Sequence, residues 1–146
     1  TMKWSDCAIQ DLRKYNHLKA SLESIPERME ALRCRFESIK GAATDKVPVK
    51  GGSSRYEDNL LDIIVEKERL KYLYRANKTL LDLIERGLAS LDETERLVLD
   101  RFYIDRPKNH IKKLMEELNY EKSRVYEIKD QALYKFTIAM YGIVEY

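Results

Sequence analysis

LMEELNYEKSRVYEIKDQALYKF, residues 114–136, decides the reading of this chain, because its apolar spacing stops at Asn119 and resumes a few residues later. Leu114 and Leu118, with Ile111 just before them, fall on one face of a helix at steps of three and four, and Met115 lies beside them. Asn119 enters the left-handed backbone region at low cost, so it can end that helix and reverse the chain. Tyr120 is expected to plug the corner. Ser123 is placed to cap a second helix whose inner face is Val125, Ile128, Ala132, Leu133 and Phe136. Lys122, Arg124, Tyr126, Glu127 and Lys129 are left on or near the outer surface. An exposed face at the start of a second helix is what a major-groove reader needs.

Outward from this stretch, LDETERLVLDRFYID at 91–105 reads as a preceding helix. Asp92 is its cap, Glu93 and Glu95 lie in the first turn where the helix dipole favours negative charge, and Leu97, Val98 and Phe102 form the buried side. Arg106 and Pro107 close it. Beyond Phe136, Ile138, Met140, Tyr141, Ile143 and Val144 are too apolar for full exposure and are expected to pack on a neighbour.

The first ninety residues have a different texture. From Trp4 through Ala8, Leu12, Tyr15, Leu18, Leu22, Ile25, Met29, Leu32 and Phe36 to Ile39, apolar residues recur at threes and fours, as in coiled-coil-like packing. Pro26 predicts a kink, or a stop and restart with Ser24 as cap. Residues 41–54, GAATDKVPVKGGSS, lack periodicity and read as a flexible connector. The seam resumes at Tyr56, Leu60, Ile63, Lys67, Leu70, Tyr74, Asn77, Leu81, Ile84 and Leu88. Lys67 and Asn77 at seam positions either fix the register of a specific pairing or reach water from a half-buried face. Ile64, Val65, Leu73 and Leu80 widen the stripe, so the two helices are expected to fold back as an antiparallel hairpin with apolar surface left for a second copy. Gly87 to Asp92 is the expected hinge. The domains are therefore 1–90, a helical hairpin and oligomerisation arm, and 91–146.

Composition agrees with an all-α chain: 44% hydrophobic, 36% charged, five Gly and three Pro in 146 residues. The net charge is +2. Residues 92–146 hold ten Lys and Arg against eleven Asp and Glu, a balance of −1, so any polyanion-binding surface must be grouped locally. Arg106, Lys108, Lys112, Lys113, Lys122, Arg124 and Lys129 are the cations available for it. Cys7 and Cys34 stand apart with no metal-ligand spacing and read as free thiols of a reducing cytoplasm. His17 and His110 have no partner at triad or ligand spacing. No apolar run is long enough to cross a membrane, no secretory leader is expected, and Thr1 ahead of Met2 reads as a cloning remnant. No phosphate loop, dinucleotide fingerprint, zinc helix or nucleophile elbow is present. No enzyme, metal or cofactor is expected.

The order Leu114, Met115, Leu118, Asn119, Tyr120, Val125, Ile128, Ala132, Leu133, Phe136 resembles, without a gap, the helix-turn-helix of the sigma-70 region 4 type, and 91–105 is similar to the helix before it. Two long helices, a Pro/Gly-rich connector and this domain together look like phage-encoded late regulators of the ArpU and RinA kind. The family's turn glycine is Asn119 here, and its alanine in the first helix is Met115. The resemblance implies double-stranded DNA as partner, in the cytoplasm of a bacterial host, with Lys122, Ser123, Arg124, Tyr126 and Glu127 contacting bases or backbone, supported by Lys129, Lys112 and Lys113. It implies a phage or prophage transcription regulator, a dimer first among homo-oligomers. Two other classes stay open: a DNA-packaging component of small-terminase type, and a protein-interaction module that binds RNA polymerase without touching DNA.

Overall fold

The computed structural model describes residues 3–44 and 52–142. Among the described residues there are five α-helices and no strand: α1 Trp4–Thr44, α2 Gly52–Ala89, α3 Glu93–Leu99, α4 His110–Leu118 and α5 Lys122–Tyr141. The expected all-α class is what forms. The contacts divide the chain into two compact units, Lys19–Lys78 and the discontinuous unit Thr1–Leu18 with Thr79–Tyr146.

In the unit Lys19–Lys78, the alternation of threes and fours puts Ile25 and Leu32 of α1 and Ile63 and Leu70 of α2 into one buried cluster. Met29, Phe36, Ile39, Leu73 and Tyr74 border it. Burying each large aliphatic side chain contributes roughly 1.5–3 kcal/mol, which stabilises this pair of helices. Asn77 Nδ2 donates to Ser21 Oγ at 3.0 Å at the end of the unit far from the 45–51 connection, so the two helices run antiparallel here. Asn77 thereby has a partner, while Lys67 is half-buried. Pro26 neither stops α1 nor forces a restart: the helix continues through it, and the Ser24 hydroxyl bonds the Ser21 carbonyl instead of capping. The connector is shorter than expected, because Gly41 is still helical and α2 starts at Gly52; residues 45–51 lie outside the described residues.

In the other unit, Ala8 and Leu12 of α1, Ile84 and Leu88 of α2, Val98 and Leu99 of α3, Leu114 of α4 and Phe136 of α5 are all buried. Gly87 is not a hinge. It is helical and buried, and a Cβ built on it would lie 2.8 Å from Phe136 Cε2, so its lack of a side chain is what admits that ring. The chain turns after Ala89. Asp92 then caps α3 as expected, and a full capping box forms: Asp92 Oδ1 accepts from the Glu95 N–H at 2.8 Å while Glu95 Oε1 accepts from the Asp92 N–H at 3.3 Å. These bonds hold the Asp92 carboxyl below the usual aspartate range, the Glu95 N–H contributing most. Glu95 is buried, and its other oxygen holds Lys135 Nζ of α5 at 2.9 Å.

Periodicity did not reveal that α3 ends in a π-helical turn, Asp100–Ile104, closed by the Asp105 N–H donating to the Asp100 carbonyl at 2.8 Å. Asn16 Nδ2 of α1 donates to Asp105 Oδ1 at 2.8 Å and anchors it. At its far end α5 is tied to α1, where the Tyr141 hydroxyl donates to the buried Asp11 carboxylate and its ring lies 5.1 Å from that of Trp4. Burial, then the bond to Asp11, pushes the Tyr141 phenol well above its ordinary value. Ile138 and Met140 are half-buried, as expected for the apolar tail; Ile143 and Val144 lie outside the described residues.

Candidate nucleic-acid interface

Helices α4 and α5 are joined by three residues. Asn119 adopts the left-handed conformation with φ 58° and ψ 42°, and its N–H donates back to the Met115 carbonyl, which ends α4 as the residue type predicts. A second left-handed asparagine, Asn109 with φ 56°, stands at the other end of α4. Glu121 is extended and its carbonyl accepts from the Val125 N–H at 3.1 Å, so α5 begins at Lys122. Ser123 is therefore not the cap. It is the second residue of the helix, two positions past the cap at Glu121, and no side chain caps α5. Tyr120 does not plug the corner either: it is 42% exposed, and the Arg124 guanidinium lies 5.9 Å from its ring centre.

Beneath the pair, Val98, Phe102, Leu114, Val125 and Ile128 form one buried cluster, bordered by Leu97, Tyr103, Ile111, Met115 and Leu118. Met115 is half-buried at the edge of this cluster, where its flexible thioether can occupy the space of a smaller residue's surroundings. Phe102 is the organising ring. His110 meets it edge-on at 4.9 Å and 88°, and Tyr126 meets it at 5.8 Å and 74°. Its role was not legible from spacing, because both partners lie on other helices. Burial, then the nearby Arg106, lowers the His110 pKa below its ordinary value.

The eight side chains expected at the interface divide into four groups. Lys122 and Ser123 on α5 and Lys112 and Lys113 on α4 are exposed. Among the described residues, none of these three lysines is in an ion pair. Arg124 and Glu127 are exposed but bound to each other at 3.1 Å. Lys129 is drawn inward: its ammonium touches Asp130 at 2.5 Å and lies about 6 Å above the rings of Phe102 and Tyr126. Tyr126 is 38% exposed, so part of its ring remains open to a ligand.

The first turns of α4 and α5 have a common chemistry. Each contains cations, each lacks any carboxylate, and neither has a side-chain cap. A helix start carries unsatisfied N–H groups and a partial positive charge, so lysine and arginine there raise the local potential further. Such an end is suited to an anion supplied from outside. The acidic residues of α4, Glu116 and Glu117, sit at its other end, where Arg101 reaches Glu117 at 3.9 Å. Among the described residues no cluster of three His, Cys, Asp or Glu could hold a metal, and no helix is long and apolar enough to cross a membrane. Neither Cys7 nor Cys34 is in a disulfide. Comparison with known proteins finds no matching family model, no matching curated protein and no matching solved structure.

Proposed function

We propose that this chain is a phage or prophage DNA-binding transcription regulator whose α4–turn–α5 segment acts as a helix-turn-helix of the sigma-70 region 4 type. The observation that carries the reading is the pair of basic helix starts, each with exposed cations, no carboxylate in its first turn and no side-chain cap. Duplex DNA supplies phosphates to both. In this reading Lys122, Ser123, Lys112 and Lys113 contact the backbone and set the register, while Arg124, Tyr126 and Glu127 at the start of α5 face base edges in the major groove. Arg124 has to exchange its Glu127 partner for a base, which leaves Glu127 able to accept from a cytosine amino group. Lys129 then supports Tyr126 from behind rather than reaching DNA itself.

Titration of labelled duplex DNA at several salt concentrations tests this. Binding whose affinity falls steeply with salt is expected, because each neutralised phosphate releases counterions. Lys122→Ala is expected to reduce the salt slope by about one, and Arg124→Ala to cost about 1–3 kcal/mol while relaxing sequence preference. No binding at low salt, or a slope near zero, overturns the reading. A protein-interaction module for RNA polymerase is the second reading, favoured by the Arg124–Glu127 pair and by the exposed rings of Tyr120 and Tyr126 beside it. It expects polymerase capture with no DNA retardation. A packaging component of small-terminase type expects a ring of many copies in solution.

A further inference from the structure

The unit Lys19–Lys78 carries an apolar face that its own core does not use. Leu61, Ile64, Val65 and Tyr72 recur at steps of three, four and seven along α2, and they are 57%, 48%, 60% and 72% exposed. Leu61, Val65 and Tyr72 lie on the side of the helix opposite Ile63 and Leu70, which are buried against α1, and Ile64 lies on the flank beside them. One scattered apolar side chain on a surface needs no cause, but four large ones in one stripe mark a contact face.

Charge along the same helix identifies what fits it. Residues 57–62 contain three carboxylates, Glu57, Asp58 and Asp62, and no cation. Residues 69–78 contain four cations and no carboxylate. Glu68, on the stripe itself, is already neutralised by Lys71 at 3.1 Å. Among the described residues Glu57, Asp58, Asp62 and Arg75 are in no ion pair. A helix that is acidic at one end of a stripe and basic at the other is complementary to itself when reversed.

We propose that α2 packs antiparallel against α2 of a second copy of this chain through Leu61, Ile64, Val65 and Tyr72, forming a two-fold dimer. Reversal places Leu61 across from Tyr72 of the second copy and Glu57 beside its Arg75, both twice over, as an isologous interface requires. Parallel pairing sets like charges against each other along the whole stripe. The pairing rests only on this unit and does not depend on whether the chain binds DNA.

Light scattering or sedimentation of the full chain without DNA tests it. A dimer is expected that becomes monomeric in Val65→Asp with Tyr72→Ser, with helical circular dichroism and melting retained because both side chains are exposed. Glu57→Arg or Arg75→Glu alone is expected to weaken the dimer several-fold, and the two together to restore it, since reversal re-creates each pair. That rescue remains readable even if the stripe variant misfolds. A wild-type monomer, an assembly larger than two, a dimer indifferent to the stripe substitutions, or charge reversals that add instead of cancelling would each overturn the proposal.

Discussion

The two ends of α5 are built in opposite ways. Toward its C-terminus the helix is held by everything it meets: Lys135 by Glu95, Phe136 by the gap at Gly87, Tyr141 by Asp11 and Trp4. Toward its N-terminus Lys122, Ser123 and Arg124 stand in solvent on a turn with no cap, although α3, which starts at Glu93, has a complete capping box. The same chain thus satisfies the rules of helix termination at one start and ignores them at the next. Local rules are broken most often at functional sites, and the uncapped start of α5 is where the proposed DNA contact falls.

The largest expected effect is at the held end. Gly87→Ala improves helix propensity by up to about 1 kcal/mol, but it drives a methyl into a buried aromatic ring, an overpacking cost of about 1–3 kcal/mol. A net loss in urea midpoint is expected, with DNA affinity unchanged while the protein is folded; a neutral result breaks the contrast from that side. Asp92→Ala is expected to cost about 1 kcal/mol through the lost cap. Ser123→Ala, at a start with no cap bond, is expected to fall within about 0.5 kcal/mol of wild type. Lys122→Glu sharpens the contrast by changing sign: a carboxylate in the first turn is expected to stabilise the fold by about 0.3–1 kcal/mol while weakening DNA binding. Loss of both would mean that Lys122 is a structural contact.

The smallest effect is pH-dependent. Folding lowers the His110 pKa below its ordinary 6.5, so unfolded chains take up the proton first as pH falls. The stabilisation is complete above that value and is lost as pH drops from 6.5 through the lower folded value. Urea midpoints of wild type and His110→Gln are expected to converge across that window. A constant difference would mean that the contact with Phe102, not the proton, sets the contribution.

Features that depend on neighbours in sequence were legible before any coordinates. The seam of α1 and α2, the capping role of Asp92 and the left-handed turn at Asn119 are all of this kind, because backbone preference and helical period are local. Features that depend on distant residues were not. Gly87 reads as a hinge until Phe136 is seen against it, and Tyr120 reads as core until the turn is seen to leave it in solvent. The start of α5 was misplaced by two residues because Ser123 is the better cap by type, yet Glu121 has the extended backbone the position needs. Of the interface, the identity of the exposed side chains was legible, but not the pairing of Arg124 with Glu127 or the withdrawal of Lys129 onto aromatic rings.

The two left-handed asparagines have a further effect on α4. They fence a nine-residue helix at both ends with backbone conformations that few residue types tolerate, so its length cannot drift by fraying or by borrowing residues from the flanking chain. Inserting a single residue between them would have to be absorbed within the helix, turning everything downstream of the insertion by about 100°. Lys112 and Lys113 are therefore indexed to the core like teeth on a gear whose pitch is set at both ends.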